Sequence, residues 1–310
     1  IMQNMKSLID IFHNREIKLT TLVIVGNGFD IQNGLPTSYG HFNNQYSDRL
    51  DDHFIYFPEF SNDHKWSNFE ENLGLFDEDN FRESAAWVPS IDDMVESSKY
   101  VNGFNDEISQ KIDKLVDEIQ NAFTTWIRGI DLKNATKFMQ FPSGFKFINF
   151  NYTSTLQDVY LVPDENVLHI HGKASWNVIF GHGKQSSPVD PNHELDEPWF
   201  EDAYQTLASV TKKFHKPVNV ILEKHRGYLE RYGDVRKIIV IGHSVNDIDI
   251  PYFKFILDAY PDAVWRNWNH KSEEYDGVSD THDKLLSLGV IREKLFSLSS
   301  RKVRRAYPII

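Results

Sequence analysis

The chain has 310 residues, 40% of them hydrophobic, with a net charge of −12 and no cysteine. That length and apolar share suit a sizeable α/β core, and the acidic balance argues against nucleic acid as the main ligand, which needs a basic face. The missing cysteines exclude disulfides, thiolate chemistry and cysteine-ligated zinc, and they suit a reducing compartment.

In chain order, residues 1–18 lack a long apolar stretch and a small-residue cleavage site, so no signal peptide is expected. No apolar run approaches the roughly 18 residues that span a bilayer. A cytoplasmic protein is the expectation. The first strand is expected at "TLVIVG" (21–26), and "SYGHFNNQY" is expected to open a helix. Residues 51–106 are acidic, aromatic and helical or irregular, with a short amphipathic helix at "HKWSNFEENLGLF". From Glu107 to Ile127 apolar residues recur every three or four positions, which predicts a helix with one buried face. Further strands are predicted at "FKFINF" (145–150), "NVLHIHG" (166–172), "NVIFGHG" (177–183), "KIIVIGHS" (237–244) and, at an outer position, "AVWRNWN" (263–269). A helix is predicted at "DIPYFKFILDAY", with Pro251 near its start. The basic stretch from 291 reads as a solvated helix or tail, with a partner-binding patch as the alternative.

Continuous apolar strands separated by helices imply an open, doubly wound, mainly parallel α/β sheet of Rossmann-like type. The expected organisation is one α/β domain over 20–290, a largely helical insertion over 51–140, and a basic terminus over 291–310. In such sheets ligands bind beyond the carboxyl ends of the strands, so the loops after each apolar run carry the candidate site.

The first loop is "GNGFDIQNGLP". Gly26 and Gly28 would let the backbone approach a ligand, and Asn27, Phe29, Asp30 and Pro36 lie beside them. Its spacing fits neither the dinucleotide fingerprint nor a P-loop, and a plain tight turn is the competing reading. In "FINFNYTST", Asn149 and Asn151 share one side of a strand end. Asn151 would turn a carboxamide to the ligand, or both asparagines and Thr153 or Ser154 would only cap and turn the chain. In "HIHGKASWNVIFGHG", His169, His171 and His182 admit a metal reading, but no metal-binding spacing is present. His171, before Gly172, is the best-placed general base. In "GHSVND", Gly242, His243, Ser244, Asn246 and Asp247 would contact ribose or phosphate, or cap the next helix.

The stretches "IVGNGFDIQNGLPTSY", "FINFNYTSTL", "VLHIHGK", "IIVIGHSVNDIDIPYF" and "WSNFEENLG" together resemble the bacteriophage abortive-infection AbiH family, over roughly Leu22 to Leu288. The loop order is also similar, more distantly, to sirtuin-like NAD-binding domains. That likeness aligns Gly26–Asp30 with a Gly-Ala-Gly-x-Ser loop, Gly34–Pro36 with Gly-x-Pro, Asn151 with the catalytic asparagine and His171 with the catalytic histidine. It implies an anti-phage protein that cleaves NAD⁺, with NAD⁺ as substrate rather than cofactor and no metal. A phage-derived activator and a homo-oligomer are compatible expectations. Two departures stand out. Asp30 replaces a serine, and Thr153 replaces an aspartate. Asp30 could accept from ribose hydroxyls. A non-catalytic nucleotide sensor and a metal-dependent phosphoesterase or nuclease are the competing functions.

Overall fold

The computed structural model describes residues 20–61, 66, 68–85, 89–184, 201–268, 280–298 and 306–309. The chain divides into two compact units, residues 1–35, 132–170 and 219–310 in one, and 36–131 with 171–218 in the other.

The first unit holds a six-stranded sheet in the order β3-β2-β1-β4-β5-β6. The strands are β1 (Thr20–Val25), β2 (Lys146–Asn149), β3 (Val167–His169), β4 (Val235–Ile241), β5 (Val264–Trp268) and β6 (Leu295–Leu298). All five pairings are parallel. The expected open, doubly wound α/β fold is therefore present. The β1 and β4 strands are buried on both faces, which is why they read as unbroken apolar runs. One face of the sheet packs Val23, Val25, Phe147 and Ile239 against Phe29, Phe141 and Tyr160.

The winding reverses between β1 and β4, the switch point of such a sheet. Register aligns the strand ends in a row: His169 pairs with Asn149, Asn149 with Val25, and Val25 with Ile241. The loops after β1, β2, β3 and β4 therefore leave from one edge.

Two strand expectations need correction. The stretch 177–183 forms no strand; it contributes only the isolated bridges Gly172–Val178 and His182–His215. Part of the expected terminal helix or tail is sheet, because Leu295–Leu298 pairs with β5. Arg301 and the basic residues after it, like residues 1–18, lie outside the described residues.

The helices of this unit are α1 (Asn27–Gln32) and, later in the chain, Thr155–Asp158, Val218–Glu230, Ile250–Ala259 and Asp280–Ser287. Pro251 stands in the first turn of Ile250–Ala259, as its missing N–H favours.

The second unit is helical and larger than the expected insertion, since it takes in residues 171–218 as well. Its helix α2 (Tyr39–Phe54) is capped by Ser38, whose side chain accepts from His41 N–H. The long helix α3 (Ser98–Arg128) buries Ile108, Ile112, Leu115, Ile119 and Phe123, the face predicted from its spacing. An aromatic core of Phe42, Phe69, Phe123 and Trp126 joins these helices. The expected short helix near 64–76 covers only Phe69–Asn72, and part of the stretch before it lies outside the described residues. No helix among the described residues is long and apolar enough to cross a membrane.

Candidate functional site

The loops at the switch point are built backbone to backbone. A Cβ on Gly26 would meet His243 Cα at 2.7 Å, and one on Gly28 would meet Gly242 Cα at 2.8 Å. Gly242 has φ +63°, in the left-handed region that favours glycine. Gly26 N–H donates to Ile241 O at 3.0 Å, and Gly28 N–H to Gly242 O at 2.8 Å. The glycines expected to admit a ligand instead admit the neighbouring loop, and these two amides are committed to it. Phe29 is also inward: its ring packs on Phe138, Phe141 and Tyr160 in the core. Asn27 is half-buried, and Pro36, the first residue of the helical unit, is exposed.

Asp30 is buried, with 1% exposure. Its Oδ2 accepts from Thr153 Oγ1 at 2.5 Å, and its Oδ1 has no hydrogen-bond partner. Burial pushes the carboxyl up from 3.8 to about 6, against the opposing pull of the neighbouring Thr153, Thr155 and Asn151 side chains. The carboxylate is closed off from solvent in this conformation.

Asn151 sits two residues past the end of β2 and is buried. Its Nδ2 donates to Gly26 O at 3.0 Å, and its backbone N–H donates to Asn149 Oδ1 at 2.9 Å. The side chains of Asn149 and Asn151 thus lock the β2 loop to the β1 loop. Ser154 is the N-cap of Thr155–Asp158 but makes no side-chain cap bond. Thr153 does not cap either; its hydroxyl goes to Asp30.

His243 is buried. Its Nδ1 accepts from Val245 N–H at 2.9 Å, which fixes the proton on Nε2, 3.5 Å from Asp249 Oδ2. The ring lies edge-on to Phe150, centroids 4.4 Å apart. Val245 has φ +52° and is fully buried, a strained position for a β-branched residue. Ser244 and Asp247 are exposed and Asn246 is half-buried. Asn246 makes no side-chain cap bond.

The histidines of β3 and the loop after it divide between the units. His169 belongs to the sheet unit, where its Nε2 accepts from Gln157 Nε2 at 2.9 Å. His171 and His182 belong to the helical unit and are buried. His171 O accepts from Ile179 N–H at 2.9 Å. His182 Nε2 donates to Thr211 O at 2.7 Å, leaving Nδ1 without a partner, and burial holds its imidazole below the ordinary 6.5. The loop between them is held by Glu70, which pairs with buried Lys216 and accepts from Gly181 N–H at 3.3 Å. Arg128 Nε also donates to Ala174 O in that loop, at 2.9 Å. Among the described residues no group of three or more His, Cys, Asp or Glu side chains could hold a metal ion.

The sheet unit therefore gathers Asp30, Asn149, Asn151, Thr153 and the 242–247 loop at its switch point. Sequence reading did not pair Thr153 with Asp30. The one available hint was that both positions depart from the same sirtuin-like pattern. No curated protein matches the chain. The family model described as bacteriophage abortive infection AbiH matches residues 22–267, most of the chain and every loop of this site. On that match, the chain belongs to the bacteriophage abortive infection AbiH family.

Proposed function

We propose that the protein hydrolyses NAD⁺ to nicotinamide and ADP-ribose and so halts the infected cell. Membership of the AbiH family supports the abortive-infection role. The observation that carries the chemistry is Asn151, placed just past a strand end beside the switch point of a doubly wound sheet, where such folds take nucleotides. The two positions that depart from the sirtuin-like pattern, Asp30 and Thr153, are hydrogen-bonded to each other.

Nicotinamide leaves NAD⁺ as a neutral base from a cationic ring, so no strong acid is required. The N-glycosidic bond breaks with its electron pair going to nicotinamide, and water adds to the ribose C1′. The water's surplus proton goes to a base, the role assigned to His171. Asn151 orients the water or the ribose hydroxyls without adding charge. Ser244, Asn246 and Asp247 contact the adenosine side. Gly26 and Gly28 shape the loop, since their amides are committed.

A nucleotide-binding sensor without turnover is the second reading. The commitment of Asn151 Nδ2 to Gly26 O favours it, as a carboxamide that only shapes the loop would make that bond.

Purified protein incubated with NAD⁺, with phage lysate as a source of activator, decides between them. The expected result is nicotinamide release, with Asn151→Ala and His171→Ala each lowering kcat by about 100-fold or more. Saturable NAD⁺ binding without product would establish the sensor. Undiminished turnover in both variants would remove the two residues from the site.

A further inference from the structure

A closed circuit of hydrogen bonds joins the β1 and β2 loops. Gly26 O accepts from Asn151 Nδ2 at 3.0 Å. Asn151 N–H donates to Asn149 Oδ1 at 2.9 Å, and Asn149 Nδ2 donates to Thr153 O at 3.3 Å. Thr153 Oγ1 donates to Asp30 Oδ2 at 2.5 Å. Asp30 stands in α1, whose first turn closes back on Gly26 O through Phe29 N–H at 2.9 Å. Thr155 Oγ1 lies 2.9 Å from Thr153 Oγ1. An ionised carboxylate only accepts, so it orients Thr153 as donor and leaves Thr155 to donate to Thr153. Every side chain in this circuit is buried.

We propose that Asp30 is a positioning residue, which through Thr153 sets the 149–153 loop and thereby the Asn151 carboxamide, and does not itself touch the ligand. The proposal rests on the reading of Asn151 as the ligand-orienting group. The carboxylate is shut off from solvent, yet it holds a loop 123 residues away in sequence. An unpaired buried carboxylate is costly, and its hydrogen bonds to the β2 loop are what offset that cost. Exchange of partners should be tolerated better than loss of either, because the circuit needs one acceptor and one donor at this point.

The test compares Asp30→Asn, Thr153→Val and the exchange variant Asp30→Thr/Thr153→Asp. Two quantities are measured: the kcat and KM of nicotinamide release, and amide hydrogen exchange over residues 149–155. The single variants are expected to lower kcat by about tenfold or more with KM changed less than about threefold, as misplacement of a reacting group does. Exchange over 149–155 should rise in both single variants. The exchange variant should recover most of each loss. Wild-type kcat in the single variants would overturn the proposal. So would an exchange variant no better than the worse single variant in both measurements. If the wild-type chain releases no nicotinamide, the hydrolase reading fails and amide exchange alone decides the circuit: unchanged protection in Asp30→Asn refutes it, and raised exchange restored by the exchange variant supports it.

Discussion

Asp30 is a carboxylate held in the fold at a cost that depends on pH. Its carboxyl titrates at about 6 in the folded protein and at 3.8 as an ordinary aspartate. The folded state therefore binds the proton more tightly. This contribution to stability is full below about pH 4, declines as pH rises toward 6, and is level above that. With about 1.4 kcal/mol per tenfold in proton affinity, the decline is about 3 kcal/mol. Asp30→Asn removes the titration. The unfolding free energy of wild type minus that of Asp30→Asn should fall by about this amount between pH 4 and pH 7 in urea titrations. A flat difference would show that the carboxyl is not buried as described. His182 runs the other way. Its folded pKa is depressed, so its contribution is present above 6.5 and lost as pH falls through the lower folded value. Asn151 was legible at this scale because strand alternation places it at a strand end. The Asp30–Thr153 bond was not, because its partners are 123 residues apart and local pattern carries no such pairing.

At the scale of elements, the β1 and β4 loops form one packed unit. Gly28→Ala forces a methyl to within 2.8 Å of Gly242 Cα, where backbone cannot yield as a side chain would. The expected loss is roughly 1–3 kcal/mol, read as a lower urea midpoint at unchanged slope. A midpoint equal to wild type would mean that the two loops are not in contact. The glycine motif was visible in the sequence, but its reason was not. A glycine that admits a ligand and one that admits a neighbouring loop look the same in one dimension. Strands β1, β2 and β4 were legible as apolar runs, and the helix Ser98–Arg128 from its spacing. Strand β6 was hidden, since "LFSL" is four residues long with two exposed positions inside a basic stretch. The run 177–183 misled in the opposite sense: it is apolar, but Gly181 takes φ +135° against Phe214 O, a conformation no regular strand supplies.

At the scale of the molecule, the chain combines a sheet unit with a helical unit drawn from two stretches, 36–131 and 171–218. Sequence reading expected a largely helical insertion over 51–140, which overlaps the first stretch. The second escaped it because a histidine-rich run reads as strand and loop, and nothing local says that His171 belongs with the helices rather than with the sheet that precedes it. Asn151 belongs to the sheet unit and His171 to the helical unit. Family membership makes phage infection the setting in which the chain acts. The most direct measurement is therefore the NAD⁺ content of cells carrying the chain, followed through phage infection and compared with cells carrying Asn151→Ala at equal expression. The account predicts that NAD⁺ collapses before lysis with the wild-type chain, that it holds with the variant, and that protection against phage is lost together with the collapse. Protection that persists while NAD⁺ stays constant would contradict it.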